Sequence, residues 1–385
     1  MIDAGTAGHR RMLVDSVADY CRRSDPLRRC RMLRGTEPGF DRGAWLEMAG
    51  LGWTALVVPE SCGGLGLTVT EHALVAGGAA AFLMPEPLTS VMIAARTLAG
   101  CIASDAPTDL AHELLAQVAS GTTLPALAWQ EDAGRVDPAA ITATARPSAT
   151  VAGTVVVDGH KRFVVGGAGA DGYVLSVHEA GVPALYWVPA GHPGLKVVLH
   201  PLADGRSAVD LHCERMELTA GHRLLAGDAA LDALQAGIDD GNLSLAAELL
   251  GLSRRLLDLT LDYLRTRSQF GRPIGAFQAL QHRAVDLYVH QRIGDATLEQ
   301  ALRTVADARP GGRSAAASRA KARACETAAR ITRESIQMHG AIGFTDDCDV
   351  GLYVKRALVL SAWLGNARLH RARYAERVPL DAEAA

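Results

Sequence analysis

Long apolar runs and metal-binding motifs are both missing from this sequence of 385 residues. No stretch reaches the roughly eighteen consecutive apolar residues that a membrane-spanning helix needs, so we expect no membrane span. Residues 1–11 carry polar and basic side chains around no apolar centre, so we expect no secretory signal. The spacings His-Glu-x-x-His and Cys-x-x-Cys do not occur, and we therefore predict no metal site.

The cysteines are odd in number and have no regular pairing distance. They are Cys21, Cys30, Cys62, Cys101, Cys213, Cys325 and Cys348. Scattered cysteines of this kind are typical of reduced thiols and not of a disulfide framework, so the pattern predicts a cytoplasmic protein. A net charge of -3 gives no reason to expect a nucleic-acid partner.

Hydrophobic residues make up 49% of a chain that is too long for one ordinary core, so we expect two or three domains. Residues 1–121 show helical spacing and are rich in alanine and leucine. Residues 122–229 contain alternating and β-branched runs, which are typical of strands. Between two of these runs, Asp158 and Gly159 predict a tight hairpin turn.

Long helices return in residues 230–385. Leu249, Leu252 and Leu256 recur at three- and four-residue intervals, so one face of a helix carries an apolar stripe. The predicted helices cover residues 243–269, 277–306, 314–339 and 353–373. Joined by short connections, they predict a four-helix bundle.

The first of these helices ends on Arg-Thr-Arg-Ser-Gln-Phe-Gly-Arg-Pro-Ile-Gly at residues 265–275. Residues 263–278 resemble the signature of the acyl-CoA dehydrogenase family. A second stretch, Gln-Met-His-Gly-Ala-Ile-Gly-Phe at residues 337–344, resembles the second signature of that family at the expected distance. Residues 337–355 are most similar to the small, diverged subunit of heteromeric acyl-CoA dehydrogenases, in which one subunit supplies the catalytic base and a sister chain completes the assembly.

The resemblance implies an α+β multidomain fold. Its parts are an N-terminal all-helical domain (1–121), a small β-barrel-like middle domain (122–229) and a C-terminal four-helix bundle (230–385). It also implies an FAD-dependent enzyme that desaturates an acyl-CoA thioester by removing the α proton while the β hydride passes to flavin. The implied partners are an electron-acceptor flavoprotein and either further copies of this chain or a related chain in a heterotetramer.

The resemblance further implies which residues hold FAD. Adenine and pyrophosphate contacts fall on Arg267, Phe270, Phe277 and Gln278. Contacts to the cofactor of a neighbouring subunit fall on Gln337, Met338, His339, Gly340 and Ala341. The middle domain contributes Gln130 and Phe163, the latter as an aromatic wall against the flavin. A diphosphate favours a fixed cation and helix-end amides, which Arg267 and the turn at Gly340 can supply.

The chain departs from the family at three chemical positions. Val165 replaces a hydroxyl near the reactive flavin nitrogen, and a valine side chain has no donor to offer there. The two positions that carry the catalytic carboxylate in the family are occupied by Leu364 and Gly241. Neither residue can accept a proton.

Other carboxylates lie close by in the sequence. Glu248 sits in an apolar helical stretch, where an acid is costly unless it is paired or functional, so it is the candidate base. A packed salt bridge with Arg283 or a similar partner is the alternative. Asp239 and Asp240 are expected to precede the helix and cap its N-terminus.

Three functions follow from this sequence. The first is an active FAD-dependent acyl-CoA dehydrogenase. The second is a catalytically silent partner subunit of a heteromeric acyl-CoA dehydrogenase, as the missing carboxylate suggests. The third is a flavin monooxygenase or oxidase variant of the fold, because one fold can host several chemistries.

Overall fold

A computed structural model of the chain describes residues 4–104, 108–307 and 309–378. Residues 1–3 and 379–385, at the outer ends of the first and last predicted domains, lie outside the described residues. The α-helices are α1 (Ala4–Ser24), α2 (Pro26–Leu33), α3 (Arg42–Gly50), α4 (Val69–Ala80), α5 (Leu88–Ile102), α6 (Asp109–Ala119), α7 (Asp228–Thr266), α8 (Gln278–Asp307), α9 (Pro310–His339), α10 (Val350–Ala362) and α11 (Ala367–Arg377). None of the helices in these ranges has the length and apolar character needed to cross a membrane.

Among the described residues, eight strands form one mixed sheet. In the sequence they follow α6 and precede α7. They are β1 (Pro125–Ala128), β2 (Thr144–Pro147), β3 (Thr154–Val165), β4 (Gly172–Glu179), β5 (Val182–Pro189), β6 (Leu195–Pro201), β7 (Ser207–Thr219) and β8 (Arg223–Ala226). The sheet order is β6-β7-β3-β2-β4-β5-β8, and β1 pairs with β4 in parallel. Two short strands, β9 (Ser268–Gln269) and β10 (Arg272–Pro273), form a separate ribbon. The helix, sheet, helix order agrees with the predicted fold.

The chain divides into two compact units. The first comprises Met1–Met32, Val69–Met84 and Asn242–Ala385. The second comprises Leu33–Thr68 and Pro85–Gly241. The division into three consecutive domains stays a prediction.

One hydrophobic cluster of the second unit lies on one face of the sheet. Its members include Val157, Val164, Tyr173, Tyr186, Val209, Leu211, Met216 and Leu218. They belong to four strands of the sheet, β3, β4, β5 and β7, and alternate residues along a strand point to the same side. Consecutive residues of β4 and β5 are also buried, so both faces of these two strands are covered, whereas β3, β6 and β7 carry partly exposed polar residues.

The hairpin predicted at Asp158 and Gly159 is wrong, because β3 runs straight through both residues. The β3–β7 pairing shifts register between Val157 and Gly159, which marks a β-bulge. Asp158 accepts a hydrogen bond from the backbone N–H of Arg215 on β7 (2.8 Å). A Cβ on Gly159 would lie 2.4 Å from the Cβ of Ala143, so glycine is needed for close strand approach and not for a turn.

Helix α7 begins at Asp228, well before the predicted start near Leu243. Asp239 and Asp240 therefore lie inside the helix and are buried, so their predicted capping role is wrong. Asp240 forms an ion pair with Arg96 (3.1 Å). Gly241 is expected at the start of this helix, but a single glycine is tolerated inside a helix whose surrounding turns are buried, as residues 237–253 are.

The predicted apolar stripe of α7 is confirmed. Leu249, Leu252 and Leu256 are buried, and Arg254 and Asp258 are exposed. The helix lies against α4 in the first unit. A Cβ on Gly251 would lie 2.0 Å from the carbonyl oxygen of Gly77 on α4, so the glycine permits this contact.

The last predicted helix, residues 353–373, is two helices in the structure. Between α10 and α11 the backbone leaves the helix at Leu364, which has φ +57°, and at Gly365, which has φ +108°. Asn366 then starts α11, with its side chain accepting a hydrogen bond from the N–H of Leu369 (3.1 Å). An N-cap asparagine after a left-handed pair is an ordinary way to end one helix and begin another.

Candidate functional site

The first signature forms a projecting hairpin after α7. Strands β9 and β10 pair across a two-residue turn, in which Phe270 (φ +52°) and Gly271 (φ +75°) both have positive φ. Two consecutive positive φ values are the mark of a tight hairpin turn. Phe270 is 91% exposed and packs edge-on against Phe277, with 6.2 Å between ring centroids. Arg272 lies 4.1 Å above the ring of Phe277.

Arg267 stands at the base of this hairpin and is exposed. Its backbone is fixed, because its N–H donates to the carbonyl of Tyr263 (2.9 Å) and its carbonyl accepts from Ile274 (2.8 Å). Within the ranges that the structure describes, its guanidinium has no ion-pair partner. Gln278 begins α8 directly after the hairpin. The structure therefore gathers the four predicted residues of the first signature around one short turn.

The second signature ends α9. Gln337, Gly340 and Ala341 are exposed, whereas Met338 and His339 are buried. The imidazole of His339 stacks on the ring of Tyr263 (4.4 Å), and Tyr263 donates a hydrogen bond to the carbonyl of His339 (3.4 Å). Burial lowers the pKa of His339, so this ring packs as a neutral group.

The contact between Tyr263 and His339 places both signatures at one end of the first unit. A free guanidinium, an exposed ring and an exposed turn at Gly340 are the groups that suit a diphosphate joined to an aromatic base. The side chains of Met338 and His339 face the packing inside the chain. For these two residues, backbone atoms are the groups that remain for a ligand.

In the second unit, the structure brings the two predicted flavin-side residues together. The N–H of Arg162 donates to the carbonyl of Gln130 (2.7 Å), which places Gln130 beside the residue that precedes Phe163. Phe163 is 38% exposed and has φ +56°. The guanidinium of Arg162 lies 4.6 Å from the centroid of its ring. An exposed ring in a left-handed backbone is an unusual arrangement and needs support from its neighbours.

The position of the usual family base is a tightly held turn. Leu364 is buried, and its carbonyl accepts a hydrogen bond from the Nε2 of His370 (3.0 Å). Burial, with Lys321 and Arg373 nearby, lowers the pKa of His370 to about 3, so this imidazole is neutral. Lys321 is fully buried and lies beneath the same turn.

The ammonium of Lys321 donates to three backbone carbonyls. They belong to Leu360 (2.9 Å), Trp363 (2.9 Å) and Gly365 (3.0 Å). Burial lowers the pKa of Lys321, yet three donated hydrogen bonds require all three ammonium protons. A buried cation therefore holds the backbone of this turn in place. The side chain at position 364, a leucine, takes no part in these hydrogen bonds.

Glu248 is held in a buried ion pair. Its Oε2 accepts from a guanidinium nitrogen of Arg356 at 2.9 Å, and the two side chains are 10% and 9% exposed. Arg283, the partner named in the sequence analysis, is instead paired with Glu334 (2.8 Å). A paired Glu248 agrees with the alternative to a catalytic base, a salt bridge with Arg283 or a similar partner, and that partner is Arg356.

Neither Lys321 nor Arg356 stands out in the sequence. Lys321 lies in an alanine-rich helix, where a lone lysine between two alanines at buried positions is the single available signal. Arg356 occupies the inner face of α10 beside Tyr353 and Ala357, both of which are buried. A hydrophobic pattern interrupted by one arginine indicates a buried partner, without telling which acid that partner is.

Two family models match the chain. The model of the acyl-CoA dehydrogenase N-terminal domain matches residues 8–122, and that of the acyl-CoA dehydrogenase C-terminal domain matches residues 231–378. Together they match more than half of the chain. The acyl-CoA dehydrogenase IpdE2 of Mycobacterium tuberculosis is 29% identical over 349 residues, which cover 90% of this chain and 90% of the relative.

Solved structures are similar over almost the full length. A variant of the Tcur3481-Tcur3483 steroid ACAD superposes with a TM-score of 0.85 at 27% identity, covering 98% of this chain and 99% of that one. The ChsE4-ChsE5 complex from Mycobacterium tuberculosis superposes with a TM-score of 0.82 at 26% identity, covering 95% and 96%.

Proposed function

Since this chain belongs to the acyl-CoA dehydrogenase family, we propose that it works as one subunit of a heteromeric enzyme in which a sister chain supplies the catalytic base. The helical, sheet and helical parts form the acyl-CoA dehydrogenase fold, and the family consists of oxidoreductases that act on CH–CH bonds with FAD as cofactor. The observation that carries the proposal is the ion pair between Glu248 and Arg356.

A general base must be free to gain a proton during the reaction. If Glu248 took the α proton of an acyl thioester, its buried ion pair with Arg356 would be lost. Breaking a buried ion pair costs several kcal/mol, roughly, which opposes that step. With Leu364 and Gly241 at the two usual base positions, the pairing favours a base on another chain.

The alternative is an enzyme in which Glu248 is itself the base. Its carboxylate is almost fully buried in an apolar helix, as a base for a weak carbon acid needs to be. If Glu248 is the base, Arg356 must release its carboxylate when substrate binds. In that case a single chain is sufficient for catalysis.

In either case, bound FAD supplies the acceptor for the β hydride. We assign Arg267 to its diphosphate and the exposed ring of Phe270 to its adenine, with Phe277 and Gln278 beside them. Gln337, Gly340 and Ala341, with the backbone of Met338 and His339, would serve the cofactor of a neighbouring subunit. Gln130 and Phe163 would face the flavin from the sheet.

Similar proteins support proposals for the substrate, the assembly and the electron acceptor. A steroid ACAD and the ChsE4-ChsE5 complex are both similar over nearly the whole chain, so we propose a ring-bearing acyl-CoA substrate and a heterotetramer. Reduced flavin would pass its electrons to an electron-transferring flavoprotein. Seven free cysteines support a location in the cytoplasm.

Co-expression tests the division of labour between two chains. The purified chain alone should not reduce its flavin with any acyl-CoA. Co-expression with a related chain that carries a glutamate at one of the two usual positions should restore flavin bleaching under anaerobic conditions. Substrate-dependent bleaching by this chain alone, at a rate typical of the family, would contradict the proposal and favour Glu248 as the base.

Arg267→Ala tests the cofactor site directly. A charge-assisted hydrogen bond contributes about 1.5–3 kcal/mol, so we expect FAD to bind roughly 10- to 150-fold more weakly. The helical signal in circular dichroism should not change, because Arg267 is exposed. Isothermal titration with FAD measures the loss.

The matched control for Arg267→Ala is Arg265→Ala. Arg265 lies two residues earlier, is also exposed, and pairs with Asp262 on its own helix (2.9 Å). It should bind FAD like the unchanged protein. Equal FAD affinity of the Arg267→Ala protein would remove Arg267 from the site.

A further inference from the structure

Two β-bulges interrupt the pairing of β3 with β7. The first lies between Val157 and Gly159, and the second lies between Lys161 and Val164. Each bulge contains a non-glycine residue with positive φ: Arg215 (+49°) in the first and Phe163 (+56°) in the second. Bulges redirect side chains, and left-handed backbone is costly for residues that have a Cβ.

An aspartate on the opposite strand caps each of these strained residues. At the first bulge, Asp158 on β3 accepts from the N–H of Arg215 (2.8 Å). At the second, Asp210 on β7 accepts from the N–H of Phe163 (3.0 Å). The carboxylate satisfies an N–H that the interrupted ladder leaves without its usual carbonyl partner.

Asp210 does more than cap a backbone N–H. Its second oxygen, Oδ2, lies 3.4 Å from Nε of Arg162, and that guanidinium covers the face of the Phe163 ring. The imidazoles of His200 and His160 lie 3.3 Å and 3.5 Å from the same oxygen. Asp210 is 6% exposed, so these contacts act across little water.

The surroundings keep this carboxylate ionised. Burial alone would raise the pKa of Asp210, but the N–H of Phe163, His200 and Arg162 together hold it below its ordinary value. An ionised acceptor makes stronger hydrogen bonds than a neutral one. The backbone of Phe163 and the guanidinium over its ring are therefore both fixed by one charged group.

We propose that Asp210 is a positioning residue that holds Phe163 and Arg162 in the orientation needed to wall the flavin. The inference rests on the proposed function, in which Phe163 faces the cofactor. Asp210 itself does not touch the cofactor in this scheme. It acts by fixing the bulge that turns Phe163 outward from β3.

Fluorine NMR tests the anchoring without any cofactor. The chain has six phenylalanines, so labelling with 4-fluorophenylalanine gives six resonances, and Phe163→Leu identifies the one from Phe163. Asp210→Ala should shift or broaden that resonance. Asp158→Ala is the matched control, because it removes the same kind of cap from the other bulge. It should leave the Phe163 resonance in place.

The link to the cofactor is tested by FAD affinity and by the visible flavin spectrum. Loss of an ordered aromatic contact should raise the FAD Kd about two- to tenfold in Asp210→Ala and change the flavin absorbance bands. Asp158→Ala should leave both unchanged. Asp210→Asn keeps an acceptor oxygen for the N–H of Phe163 but loses the charge, so it should shift the resonance and raise the Kd by less than Asp210→Ala does.

The outcomes separate the two claims. An unmoved Phe163 resonance in Asp210→Ala overturns the anchoring. A shifted resonance with unchanged FAD affinity and spectrum overturns the role in the cofactor site. If Asp210→Ala does not fold, Asp210→Asn decides, because a Phe163 resonance that is unmoved after the loss of charge would overturn anchoring by the carboxylate. Failure of the unchanged protein to bind FAD at all contradicts the proposed function, while the fluorine spectra still test the anchor.

Discussion

Arg356→Met should destabilise the first unit by about 3–5 kcal/mol, because it removes the hydrogen-bonded cation that pairs with the buried carboxylate of Glu248. The two side chains are 9% and 10% exposed, so water cannot replace the lost partner. The thermal midpoint should fall by roughly 6–20 °C for a unit of this size. Differential scanning calorimetry and urea titration measure the change as shifts in midpoint.

A double variant, Arg356→Met with Glu248→Met, separates the cost of leaving one charge unpaired from the net contribution of the ion pair to stability. With Glu248→Met added, neither charge of this ion pair remains to be buried, and most of the lost stability should return. Arg254→Met is the control, because Arg254 pairs with Asp295 at the surface and is 57% exposed; it should change stability by less than about 1 kcal/mol. A double variant as unstable as Arg356→Met alone would show that packing, and not charge pairing, dominates this site.

The same double variant decides the role of Glu248 in catalysis. It removes the carboxylate while retaining most of the fold. If Glu248 is the base, flavin reduction in the assembled enzyme should fall by about 10²- to 10⁴-fold. If the sister chain supplies the base, flavin reduction should remain near that of the unchanged assembly.

Lys321→Met should also cost about 3–5 kcal/mol. The substitution preserves the length of the side chain but leaves the carbonyls of Leu360, Trp363 and Gly365 without their donor in a dry environment. Each unsatisfied buried acceptor costs about 1–3 kcal/mol, and relief of the buried charge offsets part of the sum. Calorimetry should show a lower midpoint for the first unit.

Lys355→Met is the control for this change, since Lys355 is exposed on α10 and should tolerate the same substitution. A loss below about 1 kcal/mol in Lys321→Met would mean that other donors reach these carbonyls. Proteolysis gives a second measurement. Limited digestion should cut Lys321→Met first between α10 and α11, because the turn there would lose three of its hydrogen bonds.

The hydrogen bonds from Lys321 to the turn between α10 and α11 bear on the proposed function. The turn that carries the base in the family keeps a fixed backbone here, with Leu364 at φ +57° and its carbonyl bound by His370. The shape of the turn is thus maintained by residues other than the one at position 364. A sister chain with a glutamate at the matching position can use the same scaffold for catalysis, as the proposed division of labour requires.

Local patterns alone were enough for the order of helices and strands. The stripe through Leu249, Leu252 and Leu256 predicts the buried face of α7 because side-chain spacing on a helix follows from its geometry. The sequence predicts the helix end near residue 269 but not the hairpin that follows it, because Phe270 adopts a left-handed backbone that a phenylalanine rarely takes. The two signatures identify the family because they preserve order and spacing along the chain.

Tertiary structure decided which charges meet. Glu248 and Arg356 lie 108 residues apart, and the sequence offered Arg283 as an equally suitable cation. Lys321 binds backbone carbonyls, which every residue possesses, so no side-chain pattern reveals its partners. Asp158 and Gly159 have the composition of a hairpin turn, but pairing with β7 makes them a bulge. Local preference determines a segment where few alternatives exist, whereas charge pairing and strand register depend on which distant segments are brought into contact by the buried core.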